Sequence, residues 1–369
     1  MKESLRRAGQ RVMVGFEGMA PSVEVRTLIK QYAVSHVILF ARNVDSPEQV
    51  AELVRELQGI ARDAGQDLPL LIGVDQEGGR VARLRAPWTV WPSLRALGRL
   101  ASESHAERMG RGLADELVPC GIRWDFAPVV DVDTNPKNPV IGDRSFGDHP
   151  ELVGRLGAAM IRGLQEGGLA ACAKHFPGHG DTDLDSHLDL PVVTHSPSRL
   201  HDVELRPFRA AVEAGVVSVM TAHVLVPELD ETLPATLSPR IVEPLLRRGM
   251  SYDGVVVTDD MEMKAVAKGW GAGESAVLAA RAGCDLIAFC RTPAMQVEAV
   301  EALVRAQESD RIASKAMDDS VARLRRLKER FALPYQDPDP RQARLAAGAS
   351  ERVRLAEEIA ERSGLSTRA

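Results

Sequence analysis

The chain is predicted to fold as an α/β protein, a parallel (β/α)8 TIM barrel in a single domain with a C-terminal helical tail. Three observations lead there. Eight short apolar runs alternate with amphipathic stretches of helical length along 369 residues. The runs are nearly continuous in apolar residues, as strands covered on both faces require. Acidic and basic residues crowd the ends of five successive runs, at the rim where barrels carry their chemistry. A doubly wound open sheet is the competing arrangement, but no Gly-x-Gly-x-x-Gly follows the first run.

In order, the first two predicted strands are Val12–Phe16 and Val37–Phe40. The third, Leu70–Val74, ends in Asp75-Gln-Glu-Gly-Gly-Arg80-Val-Ala-Arg83. The fourth, Ile122–Pro128, runs on to Asp131-Val-Asp133 and then Asn138–Phe146. Strand five, Leu169–Ala173, opens into Lys174-His-Phe-Pro-Gly-His-Gly-Asp-Thr-Asp-Leu-Asp-Ser-His187, and the sixth, Val216–Ala222, runs into His223. The seventh, Val255–Thr258, meets Asp259-Asp260-Met261, and Leu286–Phe289 completes the set. Helical patterns lie between them at Pro47–Ala64, Ser102–Val118, Pro150–Glu166, Ser198–Ala214, Pro239–Arg248, Glu274–Ala282 and Pro293–Ser309. From Pro334 the composition changes: Pro334–Pro340 reads as a linker and Arg341–Arg362 as a charged, Ala-rich helix. The barrel is expected over residues 1–333 and the linker and tail over 334–369. The tail is too short for a second domain and suits packing on the barrel or a dimer contact, so a monomer or homodimer is expected.

An apolar content of 44% and a charged content of 27% belong to a globular chain with ample core. The net charge is −6 and basic residues are not clustered, so no nucleic-acid partner is expected. No apolar run reaches membrane-spanning length, and Val12–Phe16 is too short for the apolar part of a signal peptide. Cys120, Cys172, Cys284 and Cys290 are far apart, mostly in or beside apolar runs, and read as buried free thiols. Together these place the protein in the cytoplasm.

The segment 174–187 holds three histidines, three aspartates and a lysine in fourteen positions, broken by Pro177, Gly178 and Gly180. That composition reads as a loop, and one dense in titratable groups reads as a site. Asp259, at the end of an apolar strand, suits a nucleophile attacking an anomeric carbon, with a helix cap or surface acid as the plainer role. Strand alternation turns Asp259 and Asp260 to opposite faces, so only one of them should line a pocket. Asp185 and His187 share a side of an extended segment, so Asp185 can orient the imidazole for proton transfer; an Asx turn is the plainer alternative. Arg83, Arg144 and Lys174 are rim cations suited to a hydroxyl-rich or acidic ligand, and Asp75 could hold paired sugar hydroxyls. His175, His179, His187, Asp181 and Asp185 could in principle ligate a metal. However, Pro177-Gly178 prevents the His-x-x-x-His pair from sharing a helical face, and no metal or cofactor is expected. A Schiff-base role for Lys174 would leave the acid and histidine array unexplained.

The histidine segment resembles the long signature of bacterial β-N-acetylhexosaminidases of glycoside hydrolase family 3, the NagZ type. Ile38–Asn43, Asp75–Arg80, Val140–Phe146, Pro234–Ser238 and Gly254–Met261 resemble that family in the same order, spanning about residues 10–330. The resemblance implies a retaining mechanism with Asp259 as nucleophile, His187 as acid/base and Asp185 as its partner. It also implies that Asp75, Arg83, Arg144, Lys174 and His175 contact a non-reducing N-acetylglucosamine, with cytosolic muropeptide the implied substrate. A β-glucosidase, a β-xylosidase or a phosphorylase of the same family would share these motifs, and a non-catalytic sugar-binding barrel is the alternative of another class. Two departures stand out. Glu262 replaces the small residue usual after Asp259-Asp260-Met261, and Glu357–Ser363 resembles the start of a further α/β domain carried by many relatives.

Overall fold

Residues 2–184, 186 and 189–365 are described by the computed structural model. Eight parallel strands form the sheet: β1 (Val12–Val14), β2 (His36–Leu39), β3 (Leu71–Val74), β4 (Trp124–Asp125), β5 (Cys172–Phe176), β6 (Ser218–Thr221), β7 (Val255–Asp260) and β8 (Leu286–Phe289). Their order is β4-β3-β2-β1-β8-β7-β6-β5. Parallel bridges Trp124–Ala170 and Val129–Lys174 join the two ends, with the Asp125 N–H donating to the Ala170 carbonyl at 2.9 Å. The expected barrel is therefore present.

Alternation along the strands divides two cores. Met13, Ile38, Leu71, Trp124, Cys172, Met220, Val255, Val257, Leu286 and Ala288 fill the barrel interior. Their neighbours, such as Val12, Val14, Val37, Leu39, Val256 and Ile287, pack outward against the helices. The interior layer is mixed in size: Phe126 closes over Gly73, where an added Cβ would stand 3.0 Å from the ring. Helix Ser314–Phe331 lies across the N-terminal end and adds Leu324, Leu327 and Phe331 to the interior cluster. Polar strand ends thus emerge at the opposite rim.

Several elements depart from expectation. β5 runs through Phe176, so Lys174 and His175 belong to a strand rather than to the loop. Buried carboxylates satisfy both polar side chains, which composition alone does not show. Ser198–Ala214 is not one regular helix. A π-helical stretch at Leu200–Glu204 precedes Arg206–Glu213, because Pro207 has no N–H to continue the helical ladder. Helices Glu3–Gln10, Val23–Gln31, Leu94–Leu100 and Ser314–Phe331 were not foreseen.

Arg341–Arg362 is split into Pro340–Ala346 and Ser350–Ser363. Gly348, at φ +64, makes the break, and its N–H donates to the Glu116 carboxylate at 2.7 Å. Both pieces lie on the barrel's outer helices, with Ala343, Leu355 and Ile359 buried in the outer core. All four cysteines are buried and free, as expected. No helix among the described residues is long and apolar enough to cross a membrane.

Candidate active site

A cavity of about 340 Å3 opens at the C-terminal rim, and Asp75, Arg83, Arg144, Lys174, His175 and Asp259 all line it. These residues come from the ends of β3, β5 and β7 and from the segment after β4, four of the five strand ends expected to converge; His223, after β6, does not line the cavity and sits 3.0 Å from the Asp260 carbonyl oxygen. Asp185 and His187 lie outside the described residues. Ser186, between them, lines the cavity.

Asp259 continues the inward set of Val255 and Val257, so alternation aims it into the barrel. The β7–β8 register slips between Leu286 and Ala288, which pair with Val257 and Asp260. This extra residue on β7 is a bulge, and it brings Asp260 to the cavity as well. The expectation that only one of the pair lines the pocket is therefore corrected. Asp260 nonetheless turns one oxygen aside, to the backbone N–H groups of Glu262 (3.1 Å) and Cys290 (3.2 Å). Burial pushes its proton affinity up to about 7. Asp259 behaves oppositely: burial alone would raise it, but His175, His223, the Asp260 N–H and Lys174 together hold it below the usual carboxylate range. Of the two adjacent acids, Asp259 is the one whose surroundings favour the ionised form.

A matching slip between β5 and β6, between Lys174 and Phe176, lets the adjacent residues Lys174 and His175 both face the cavity. Lys174, expected as a rim cation, is buried and tightly held. Its Nζ is held by Asp75 at 2.9 Å and by Glu77 at 2.6 Å. Glu77 also takes Arg144 bidentately, with both contacts at 2.8 Å. Burial works against the charge on Glu77, yet Arg144 and Lys174 outweigh it and hold the carboxyl far below its ordinary value. Arg83 reaches the other oxygen of Asp75 at 3.4 Å and lies over the Phe40 ring. The cations are thus fixed by acids beneath them, with Asp75 shared between two of them.

His175 is oriented from below by Asp131, which accepts from the ring Nδ1 at 2.7 Å and from the His175 N–H at 3.1 Å. Asp131 also accepts from the His179 N–H at 2.7 Å. With its proton on Nδ1, His175 presents Nε2 as an acceptor to Arg144 Nη2, 3.3 Å away. Glu77 and Asp131 are site residues that sequence reasoning missed. Glu77 sits two positions after Asp75, the spacing that shares a side in an extended segment; Asp131 ends an apolar stretch. Both signals were present but were not distinguished from those of ordinary loop acids.

Of the histidines considered as metal ligands, His175 and His179 are otherwise engaged, and His187 lies outside the described residues. His179 contacts Thr182 Oγ1 at 2.8 Å through Nδ1 and Ser186 Oγ at 3.2 Å through Nε2, and burial lowers its proton affinity to about 4. Asp181 pairs with His195 at 2.5 Å. Among the described residues no group of three or more His, Cys, Asp or Glu side chains is placed to hold a metal. Glu262 spans two loops: its carboxylate accepts from the N–H groups of Arg291 (2.6 Å) and Thr292 (2.9 Å), just before helix Pro293–Glu308.

An acid–cation array and a buried carboxylate thus line one cavity, and comparisons with known proteins identify the family. The profile of the glycosyl hydrolase family 3 N-terminal domain matches residues 6–327. A beta-hexosaminidase of Alkalilimnicola ehrlichii is 40% identical over 300 residues, which are 80% of this chain and 83% of that protein. A family 3 β-N-acetylglucosaminidase from Paenibacillus is 45% identical with a TM-score of 0.92, over 98% of this chain and 69% of that one. NagZ from Neisseria gonorrhoeae, solved with N-trifluoroacetyl-D-glucosamine, is 32% identical with a TM-score of 0.79, over 96% and 98% of the two chains. The chain belongs to glycosyl hydrolase family 3 and is a glycoside hydrolase.

Proposed function

We propose that the enzyme is a retaining β-N-acetylglucosaminidase. It would remove terminal, non-reducing β-linked N-acetylglucosamine from muropeptides during cell-wall recycling in the cytoplasm. The observation that carries this reading is the Asp259 carboxylate, ionised despite burial, in one cavity with the Asp75–Lys174–Glu77–Arg144 array. Relatives named as hexosaminidases support the choice of sugar.

In the first step an Asp259 oxygen bonds to the anomeric carbon as the glycosidic C–O bond breaks, and the leaving oxygen takes a proton from His187. The product is a glycosyl ester on Asp259 and a free alcohol. In the second step neutral His187 accepts a proton from water, the water oxygen bonds to the anomeric carbon, and the ester C–O bond breaks. Asp185 stabilises the imidazolium that exists before the first transfer and after the second. Asp75, Arg83, Arg144, Lys174 and His175 bind the ring hydroxyls and the acetamido group. A cavity of about 340 Å3 suits one such sugar rather than an oligosaccharide, which favours action from the chain end.

The test is a panel of p-nitrophenyl β-glycosides with and without phosphate and chelator, run on the wild type and on Asp259→Ala. Turnover of the N-acetylglucosaminide alone, independent of both additions and abolished in Asp259→Ala with sugar affinity still measurable, is expected. Undiminished turnover in Asp259→Ala would remove the nucleophile assignment. Preferred cleavage of the glucoside or xyloside, or a requirement for phosphate, would overturn the stated reaction.

A further inference from the structure

At the N-terminal end of the barrel, opposite the catalytic rim, a second cavity of about 220 Å3 lies between the start of β2 and helix Ser314–Phe331. Lys328 of that helix lines it and is 5% exposed. Its ammonium makes no hydrogen bond or ion pair with any described residue, an expensive arrangement for a buried charge. The charges around it explain what is missing. Arg6 and Arg325 share Asp67, at 2.8 and 3.2 Å, and Arg7 is held by Glu3 at 3.2 Å and Asp318 at 3.0 Å. Each arginine in the wall therefore has its carboxylate, and Lys328 is the basic group left without one among the described residues.

The floor beside Lys328 repeats the imbalance. His36 follows the inward alternation of Ile38 and is fully buried, and the Ser35 hydroxyl lies 3.3 Å from its Nδ1. With that hydroxyl donating, the ring proton sits on Nε2, which has no hydrogen-bond partner. Burial, and then the nearby Lys328, push His36 well below the usual imidazole range, against a pull from the Gln10 backbone. The ring is thus neutral and its Nε2–H is a donor. Both residues line a pocket whose carboxylates are paired with arginines, Asp67 attracting Lys328 as well, so the complementary ligand is a compact, multiply accepting anion.

We propose that this cavity binds a phosphoryl group, either free inorganic phosphate or the head of a small phosphomonoester. A tetrahedral oxyanion supplies acceptors in several directions, for Lys328 Nζ, His36 Nε2 and the guanidinium groups of Arg6 and Arg325, whose residues all line the cavity. The site is remote from the cavity proposed for catalysis, so its occupancy need not change turnover.

Thermal unfolding of the full chain tests the assignment, in a phosphate-free zwitterionic buffer with sodium chloride as the ionic-strength control. Millimolar phosphate is expected to raise the wild-type Tm by about 2 °C, as binding to the folded state alone requires. The rise should persist with saturating N-acetylglucosamine in the catalytic cavity. It should vanish in Lys328→Met, whose hydrolysis of p-nitrophenyl N-acetylglucosaminide stays at the wild-type rate. Should Lys328→Met not fold, Lys328→Gln serves with the same readouts, and broadening of the free-phosphate 31P line on adding wild-type protein is the second measure. Glycerol 3-phosphate beside glycerol forms the other arm. A response to inorganic phosphate alone assigns the free ion, and a response to the ester assigns a monoester. No specific response to either, or an unchanged response in the Lys328 variants, overturns the site.

Discussion

Glu77 holds two cations with one carboxylate, and its 1% side-chain exposure means that water cannot replace either contact. Glu77→Gln therefore leaves Lys174 and Arg144 partly unpaired in a buried setting. A loss of about 3–5 kcal/mol of stability is expected from breaking such a network. Urea unfolding should show the loss, and KM should rise because both cations are freed to move. An unchanged midpoint in urea would mean that the network adds nothing to the fold. Asp131 acts on proton placement instead. Asp131→Asn keeps the shape but can turn an N–H2 toward His175 Nδ1, which then accepts, so the ring proton moves to Nε2 and faces the Arg144 donor. A drop in kcat/KM of roughly tenfold or more with near-normal Tm is expected, since a wrong tautomer in an intact site costs rate rather than fold. Wild-type kcat/KM in Asp131→Asn would show that the His175 tautomer does not matter.

At the scale of elements, two bulges decide which side chains meet. The slips at Lys174/Phe176 and at Leu286/Ala288 each place neighbouring residues in one cavity, against strict alternation. This explains where sequence reading succeeded and where it stopped. The apolar runs located the strands, and polar strand ends located the rim, because both are local patterns. A bulge is set by pairing with a distant strand, so the joint exposure of Asp259 and Asp260 was not legible, and neither was the acid layer of Glu77 and Asp131 beneath the cations. The eighth strand, all apolar and without a bulged residue of its own, was read without error as Leu286–Phe289. The histidine segment is held by close backbone approach as well: a Cβ on Gly180 would stand 1.8 Å from the Val132 carbonyl oxygen. Gly180→Ala should therefore push the segment away from the rim and lower kcat strongly. Gly348→Ala is the control, since its positive φ and a Cβ 2.2 Å from the Pro87 carbonyl oxygen strain only the tail. That variant should lose about 1–3 kcal/mol while keeping kcat. Equal kcat losses in the two variants would show that the effect is general destabilisation.

Across the whole molecule, stability depends on pH through groups whose proton affinities change on folding. Glu77 is held below its ordinary value by Arg144 and Lys174, and Asp131 by His175, His179 and their hydrogen bonds, after burial is outweighed, so their contribution is present above about pH 4 and lost as pH falls through the lowered values. Between about pH 4 and 7 two groups oppose each other. His179, lowered by burial to about 4, favours the folded state as pH rises, and Asp260, raised by burial to about 7, favours it as pH falls. Above neutrality the balance is simpler. Burial lowers Lys328 from 10.5 to about 7, so between those values the unfolded chain holds a proton that the folded chain does not. Stability must then rise with pH, by up to about 1.4 kcal/mol per pH unit from this one group. Above about pH 9 the buried thiols Cys120, Cys172 and Cys284, pushed up to about 12 by burial, reverse the trend, because only the unfolded chain ionises them. The expected profile in phosphate-free buffer is a Tm that climbs from pH 7 to 9 and then levels or falls. Lys328→Met removes the group whose titration raises stability in that window, so it should be more stable than the wild type at pH 7 and should decline gently toward pH 9 as the unfolded thiols ionise. A wild-type Tm that is flat or falling from pH 7 to 9 would mean that Lys328 remains charged in the folded protein.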